Sequence, residues 1–149
     1  MLTYVVGDAT RPITTGKSVL AHVCNDMGRW GRGFVISINK TFENIPCDNY
    51  REWYRQQYCS LTLGDVQFVE INANMVAQRG VFTIRGVPPI RYDAFRTALC
   101  TGFSAHSDVH MPRIGCGFAG GQWEYIEEIL LDTLSEYASR CTTCPRRLE

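Results

Sequence analysis

Apolar residues follow two rhythms along this chain, and the rhythms alternate. Leu2 to Val6 is a short apolar, β-rich run closed by Gly7-Asp8-Ala9-Thr10, which predicts a strand and then a loop. Within Lys17 to Cys24, the run Val19-Leu20-Ala21-His22-Val23-Cys24 is almost unbroken and suits a strand buried on both faces. After a polar loop from Asn25 to Gly33, Phe34, Val35, Ile38 and Phe42 recur at helical spacing. Asp48 to Tyr58 predicts a second helix, with Tyr50, Trp53, Tyr54 and Tyr58 on its inner side. Strands are predicted around Val66-Gln67-Phe68-Val69 and over Asn74-Met75-Val76-Ala77-Gln78. Pro88-Pro89 cannot sit inside a sheet and precede a helix carrying Phe95, Leu99 and Phe103. His110 to Ile114 predicts a short strand, and a last helix from about Gln122 buries Trp123, Ile126, Leu130 and Leu134. Such alternation implies an α/β sandwich with a largely parallel or mixed sheet. No repeat, low-complexity tract or linker interrupts it, so one domain is predicted over residues 1–140, with a short Cys- and Arg-containing tail at 141–149.

Composition narrows the classes. A chain of 149 residues is long enough for one core without staples. Fifteen Lys+Arg balance fifteen Asp+Glu, which argues against a nucleic-acid binder relying on a basic face and leaves room only for a local patch. No apolar run approaches the roughly 20 residues of a membrane span. The start, Met1 to Asp8, has neither a basic flank nor a cleavage site, so no signal peptide is expected. Seven cysteines at irregular spacing then predict reduced thiols and a cytoplasmic protein. Cys141-x-x-Cys144 lacks two further ligands at matching spacing, so a tail with two thiols is expected rather than a metal site. No metal, no cofactor, no membrane partner and a monomer are expected.

The candidate chemistry lies in one device that occurs twice: a buried strand, a glycine-rich loop, then an amphipathic helix. Gly28, Gly31 and Gly33 form the first loop; Gly115, Gly117, Gly120 and Gly121 form the second. Glycines let backbone N–H groups approach an anion, and a helix N-terminus behind them adds partial positive charge. Two such loops at the C-terminal edge of one sheet suit a diphosphate between them. Gly115-x-Gly117-x-x-Gly120 also fits the dinucleotide-binding pattern, but the acidic residue it needs about 20 positions on falls at Glu136, inside the last helix. Neither loop carries the lysine of a P-loop.

Three segments together resemble the macrodomain family: Val6-Gly7-Asp8-Ala9-Thr10; His22-Val23-Cys24-Asn25 with Gly28-x-Trp30-Gly31-x-Gly33-Phe34; and Met111-Pro112-Arg113-Ile114-Gly115-Cys116-Gly117 with Trp123-Glu124. The resemblance runs from Leu2 to about Tyr137 and is similar to the branch of the yeast-type ADP-ribose-1″-phosphate phosphatase and the terminal ADP-ribose glycohydrolase. It implies a three-layer α/β/α sandwich with a mixed, largely parallel central sheet, and a partner that is ADP-ribose, an ADP-ribosylated protein or another ADP-ribosylated macromolecule. It also implies that Asp8 accepts from the adenine amino group, Ala9 offers its N–H, and Asn25 holds the distal ribose. Gly31, Arg32, Gly33 and Phe34 would wrap one side of the diphosphate, and Gly115, Cys116, Gly117 and Phe118 the other. The glycohydrolase branch uses a lysine and an aspartate where this chain has Gln78 and Ala119. Gln78 cannot form a Schiff base and Ala119 cannot transfer a proton, so that mechanism is expected to be absent.

For hydrolysis, the candidates are Asn25 to position the substrate and His22 or Asp26 to act on water. His22 could equally be a satisfied core histidine, and Asp26 could simply begin the turn. Cys116 between its glycines is read as a backbone contact rather than a nucleophile, and Trp30 as a staple or a cover for the ribose. Arg29 and Arg32 could steer a diphosphate or be solvated loop residues. His110 is expected away from the site, and His106 on a surface loop. The reading is therefore a hydrolase acting on a terminal phosphate or ADP-ribosyl bond; the alternative is a reader that binds without turnover.

Overall fold

The computed structural model describes residues 2–11, 17–103, 108–135 and 138–143. The order is β1 (Leu2–Val6), β2 (Ser18–Asn25), α1 (Phe34–Phe42), α2 (Ile45–Gln56), β3 (Val66–Val69), β4 (Asn72–Gln78), α3 (Tyr92–Gly102), β5 (Asp108–Met111), α4 (Trp123–Thr133) and β6 (Ser139–Thr143). The strands form one mixed sheet in the order β1-β6-β5-β2-β4-β3. Every pairing is parallel except β3 with β4. All five parallel strands therefore end at the same edge, where ligands of open α/β sheets bind.

Alternation along the strands divides the core in two. Leu20, Cys24 and Val76 pack with Ile38 of α1 and with Cys47 and Tyr50 of α2. Ala21, Ala73, Met75, Val109 and Cys141 face the opposite way, onto Phe95 and Leu99 of α3 and Ile126 and Leu130 of α4. The result is the three-layer α/β/α sandwich expected above.

Several boundaries differ from the sequence reading. Tyr58 is 95% exposed rather than inward, because α2 stops at Gln56 and both Tyr58 and Cys59 take left-handed backbone. Asn72 and Ala73 belong to β4, and β5 closes before Pro112, which has no N–H for a ladder. His110 is consequently next to last in β5 and buried, with Nε2 unpaired among the described residues. Cys141, Thr142 and Thr143, assigned to the tail from sequence, lie in β6 between β1 and β5. Cys141 is fully buried, its Sγ donates to the carbonyl of Pro112, and burial raises its thiol pKa to about 11. His106 and Cys144 lie outside the described residues.

Candidate functional site

Loops leaving β1, β2, β4 and β5 enclose a row of depressions along the C-terminal edge of the sheet. The near one lies against Asp8, Ala9, Phe34, Thr41 and Pro112, and has a volume of about 520 Å³. Phe34 and Pro112 also line the central one, about 220 Å³, which opens between the two glycine loops at Gly33, Gly115 and Gly117. Val23, Arg32, Val35, Gln78 and Phe118 connect that centre to a far depression of about 320 Å³, which adds Asn25, Arg29 and Trp30. Shared walls make the three one groove, with Asp8 at one end and Asn25 at the other.

At the near end, Asp8 Oδ1 accepts from the N–H of Thr10 at 2.9 Å and from its hydroxyl at 2.6 Å. The Thr10 hydroxyl is the main cause holding the Asp8 carboxyl below its ordinary pKa, so it is ionised at neutral pH. Arg11 stands 3.9 Å from the other oxygen. The fixed carboxylate remains half exposed toward the groove.

In the centre, the glycines of the second loop have different reasons to be there. A Cβ on Gly120 would lie 2.6 Å from Pro88 Cβ, and one on Gly121 would lie 2.5 Å from the Gly115 carbonyl oxygen. A Cβ on Gly117 would meet nothing within 4 Å and point into open groove. Internal packing thus demands Gly120 and Gly121, while Gly117 leaves space for something from outside. Arg32 stacks on Phe118 with 5.1 Å from guanidinium carbon to ring centroid, linking the two loops. The Cys116 side chain packs toward the α3–α4 core, where burial raises its thiol pKa.

At the far end the polar groups are largely committed. Asn25 Oδ1 accepts from the N–H of Met27 at 3.0 Å and the N–H of Arg29 at 3.2 Å, while the Tyr50 hydroxyl donates to the Asn25 backbone carbonyl at 2.5 Å and stands 2.9 Å from Oδ1. Its Nδ2 donates to the Arg29 carbonyl at 2.6 Å, so the side chain clamps its own loop. Asp26 Oδ1 accepts from the N–H of Gly80 at 2.8 Å, and Asp26 lines a separate depression with Met27, Arg79 and Gly80. His22 is 2% exposed, and its Nε2 sits 2.5 Å from Asn74 Oδ1. Asn74 Nδ2 donates in turn to Gln67 Oε1, so Nε2 of His22 carries the proton and Nδ1 faces Cys24 Sγ at 3.8 Å. Burial depresses the His22 pKa to about 4 and leaves the ring neutral. Trp30 is buried, donates to Asn39 Oδ1 at 3.0 Å and meets the His22 ring edge-on at 5.4 Å, which staples the first loop to α1.

No family model matches the chain. It is 31% identical over 152 residues to the ADP-ribose 1″-phosphate phosphatase of Candida albicans, covering 87% of this chain and 92% of that protein. The structure of a macrodomain protein from Streptomyces coelicolor superposes with a TM-score of 0.78 and 36% identity, over 99% of this chain and 100% of that one. The chain belongs to the macrodomain family. This macrodomain also matches a Bacteroides thetaiotaomicron protein of unknown function, with a TM-score of 0.89 and 44% identity over 96% and 98% of the two chains. Mouse chromodomain-helicase-DNA-binding protein 1-like is 29% identical over 146 residues, 87% of this chain, and the macrodomain spans 16% of that protein's length. Thermosipho africanus DarTG, solved in complex with ADP-ribose, shares the fold with a TM-score of 0.71 at 14% identity, over 99% of this chain and 43% of that one.

Sequence reasoning named Gln78 only for the lysine it replaces. It missed Tyr50 as a polar partner of Asn25, because a tyrosine on the inner face of a helix reads as core.

Proposed function

We propose that this macrodomain binds ADP-ribose along the groove and hydrolyses derivatives that carry a phosphate or an ADP-ribosyl bond at the distal ribose. The observation that carries the reading is the continuity of the three depressions. Their order along the sheet edge suits adenine at Asp8 and Ala9, a diphosphate between Gly31-Arg32-Gly33-Phe34 and Gly115-Cys116-Gly117-Phe118, and the distal ribose toward Asn25. The Candida albicans relative is named for phosphate removal from ADP-ribose 1″-phosphate, and the DarTG neighbour was solved with ADP-ribose. Arg29 and Arg32 line the far depression, and among the described residues no Asp or Glu does. That charge favours a terminal phosphate, since charge-assisted hydrogen bonds to an anion are worth about 1.5–3 kcal/mol each.

A single chain encloses the whole groove, which supports action as a monomer. The six described cysteines are all free, which supports the reducing cytoplasm. The engagement of His22 and Asp26 outside the far depression favours a second reading, a reader that binds without turnover. Calorimetry with ADP-ribose, and mass spectrometry of products from ADP-ribose-1″-phosphate and ADP-ribosylated protein, separate the two. Asp8→Ala should weaken ADP-ribose binding about tenfold or more, as loss of a charged hydrogen bond requires. An unchanged affinity in the folded variant would remove the adenine assignment. Tight binding with neither substrate consumed would leave the reader.

A further inference from the structure

Resting on that hydrolase reading, we propose that the carboxamide of Gln78 positions the attacking water. Hydrolysis needs an acceptor that turns the lone pair of water toward the reacting atom, and the far depression offers few. Among its described lining residues there is no Asp, Glu, Ser, Thr, Tyr or His. Only two of the described lining side chains carry a carbonyl oxygen, those of Asn25 and Gln78. The Asn25 side-chain oxygen already accepts from two backbone N–H groups, which fills the two lone pairs of a carbonyl, and the Tyr50 hydroxyl oxygen stands 2.9 Å from it. Asn25 therefore presents only its remaining Nδ2 hydrogen, and Arg29 and Arg32 present donors alone. The Gln78 side chain makes no hydrogen bond among the described residues and is half-buried at the junction of the central and far depressions. Among the described lining residues, Oε1 of Gln78 is the free side-chain carbonyl acceptor.

The backbone directs it there. Cys24 pairs with Val76 in register, but the next residue of β2, Asn25, pairs with Gln78, so the ladder shifts by one residue at Ala77. Without the shift Asn25 would stand beside Ala77, whose side chain faces the α3 layer. The shift sets Gln78, which lines the far depression, laterally beside Asn25 at the end of the sheet. The N–H of Asp26 donates to the Gln78 carbonyl at 3.0 Å and fixes the strand end.

On ADP-ribose-1″-phosphate the step balances as follows. Water oxygen bonds to phosphorus as the bond from phosphorus to O1″ breaks. One water proton passes to a phosphate oxygen and on to O1″, leaving ADP-ribose and inorganic phosphate. Gln78, neutral throughout, accepts a hydrogen bond from the water and takes no proton, as glutamine does for the attacking water of GTPases. Arg29 and Arg32 hold the phosphate.

The test compares wild type, Gln78→Met, which keeps the volume without the oxygen, and Gln78→Glu, which keeps the oxygens. Phosphate release and calorimetric ADP-ribose affinity are measured for each. Gln78→Met should lose kcat about a hundredfold, with KM and ADP-ribose affinity within about twofold of wild type. Gln78→Glu should keep most of kcat with a raised KM, since its charge opposes the phosphate. The role is overturned if Gln78→Met retains kcat within about threefold, if its affinity falls as far as its kcat, or if Gln78→Glu is as slow as Gln78→Met. The binding reading stands in all three of those cases. A wild type that binds but does not turn over removes both the hydrolase reading and this role, and one that does not bind removes the groove assignment as well.

Discussion

Asn25, His22 and Asp26 are adjacent in sequence and chemically suggestive, yet each is engaged by a group distant in the chain. His22 shows what that engagement costs under acid. Its imidazole is fully buried with a pKa depressed by desolvation to about 4, against 6.5 when free. Between those values the unfolded chain binds a proton that the folded chain refuses, so stability falls as pH drops through the window. The difference corresponds to up to about 3 kcal/mol. His110, also depressed by burial, acts in the same direction. Urea midpoints measured from pH 7 to pH 4 should decline more steeply for wild type than for His22→Gln. Parallel slopes would mean that His22 does not titrate out of the fold.

The strand–loop–helix units define the groove through glycines of two kinds, and substitution should separate them. Gly120 has φ +76 and no room beside Pro88, so Gly120→Ala should destabilise the fold by about 1–3 kcal/mol, seen as a lower thermal midpoint. Gly117 has neither constraint. Gly117→Glu should therefore fold with an unchanged far-UV spectrum while abolishing ADP-ribose binding, because its charge and volume enter the place proposed for the diphosphate. Normal binding by Gly117→Glu would mean that the second loop does not hold the anion. On the opposite wall, Gly28 at φ +70 admits no Cβ because the Tyr54 ring of α2 would lie 2.4 Å from it, which locks the first loop to α2.

Across the whole molecule, the last strand in sequence is second in the sheet. β6 bonds to β1 on one side and to β5 on the other, so the N-terminal strand is attached to the sheet only through it. A chain ending at residue 138 would leave β1 unpaired, remove Cys141 from the α4 side of the core and free the carbonyl of Pro112 at the mouth of the second loop. Calorimetric melting should show that this truncation loses its cooperative transition, and a wild-type-like melt would show that the fold closes without β6.

Local order was legible without the structure. Hydrophobic period, proline placement and glycine spacing act within a few residues, and they located four helices, the strands from β1 to β5 and both loops. Whether a sixth strand closes the sheet is not legible in Arg140, Cys141, Thr142 and Thr143, which have the composition of a polar tail; pairing on both edges makes them a strand. Tyr58 was misread because helical spacing does not say where the helix stops. Asp8, Ala9, Asn25 and the loop glycines could be named from motifs, since each motif fixes residue types near a strand end. Which atoms remain free there is a long-range property. The Tyr50 hydroxyl reaches Asn25 from 25 positions away, Asn74 accepts a hydrogen bond from His22 Nε2 from 52 positions away, and a register shift between β2 and β4 brings Gln78 beside Asn25. The sequence by itself determined the four helices, the strands from β1 to β5 and the loops; only tertiary packing decided the sixth strand, which side chains clamp the scaffold and which still face the groove, because a strand needs partners on its edges and a hydrogen-bonding group spent on one partner is lost to another.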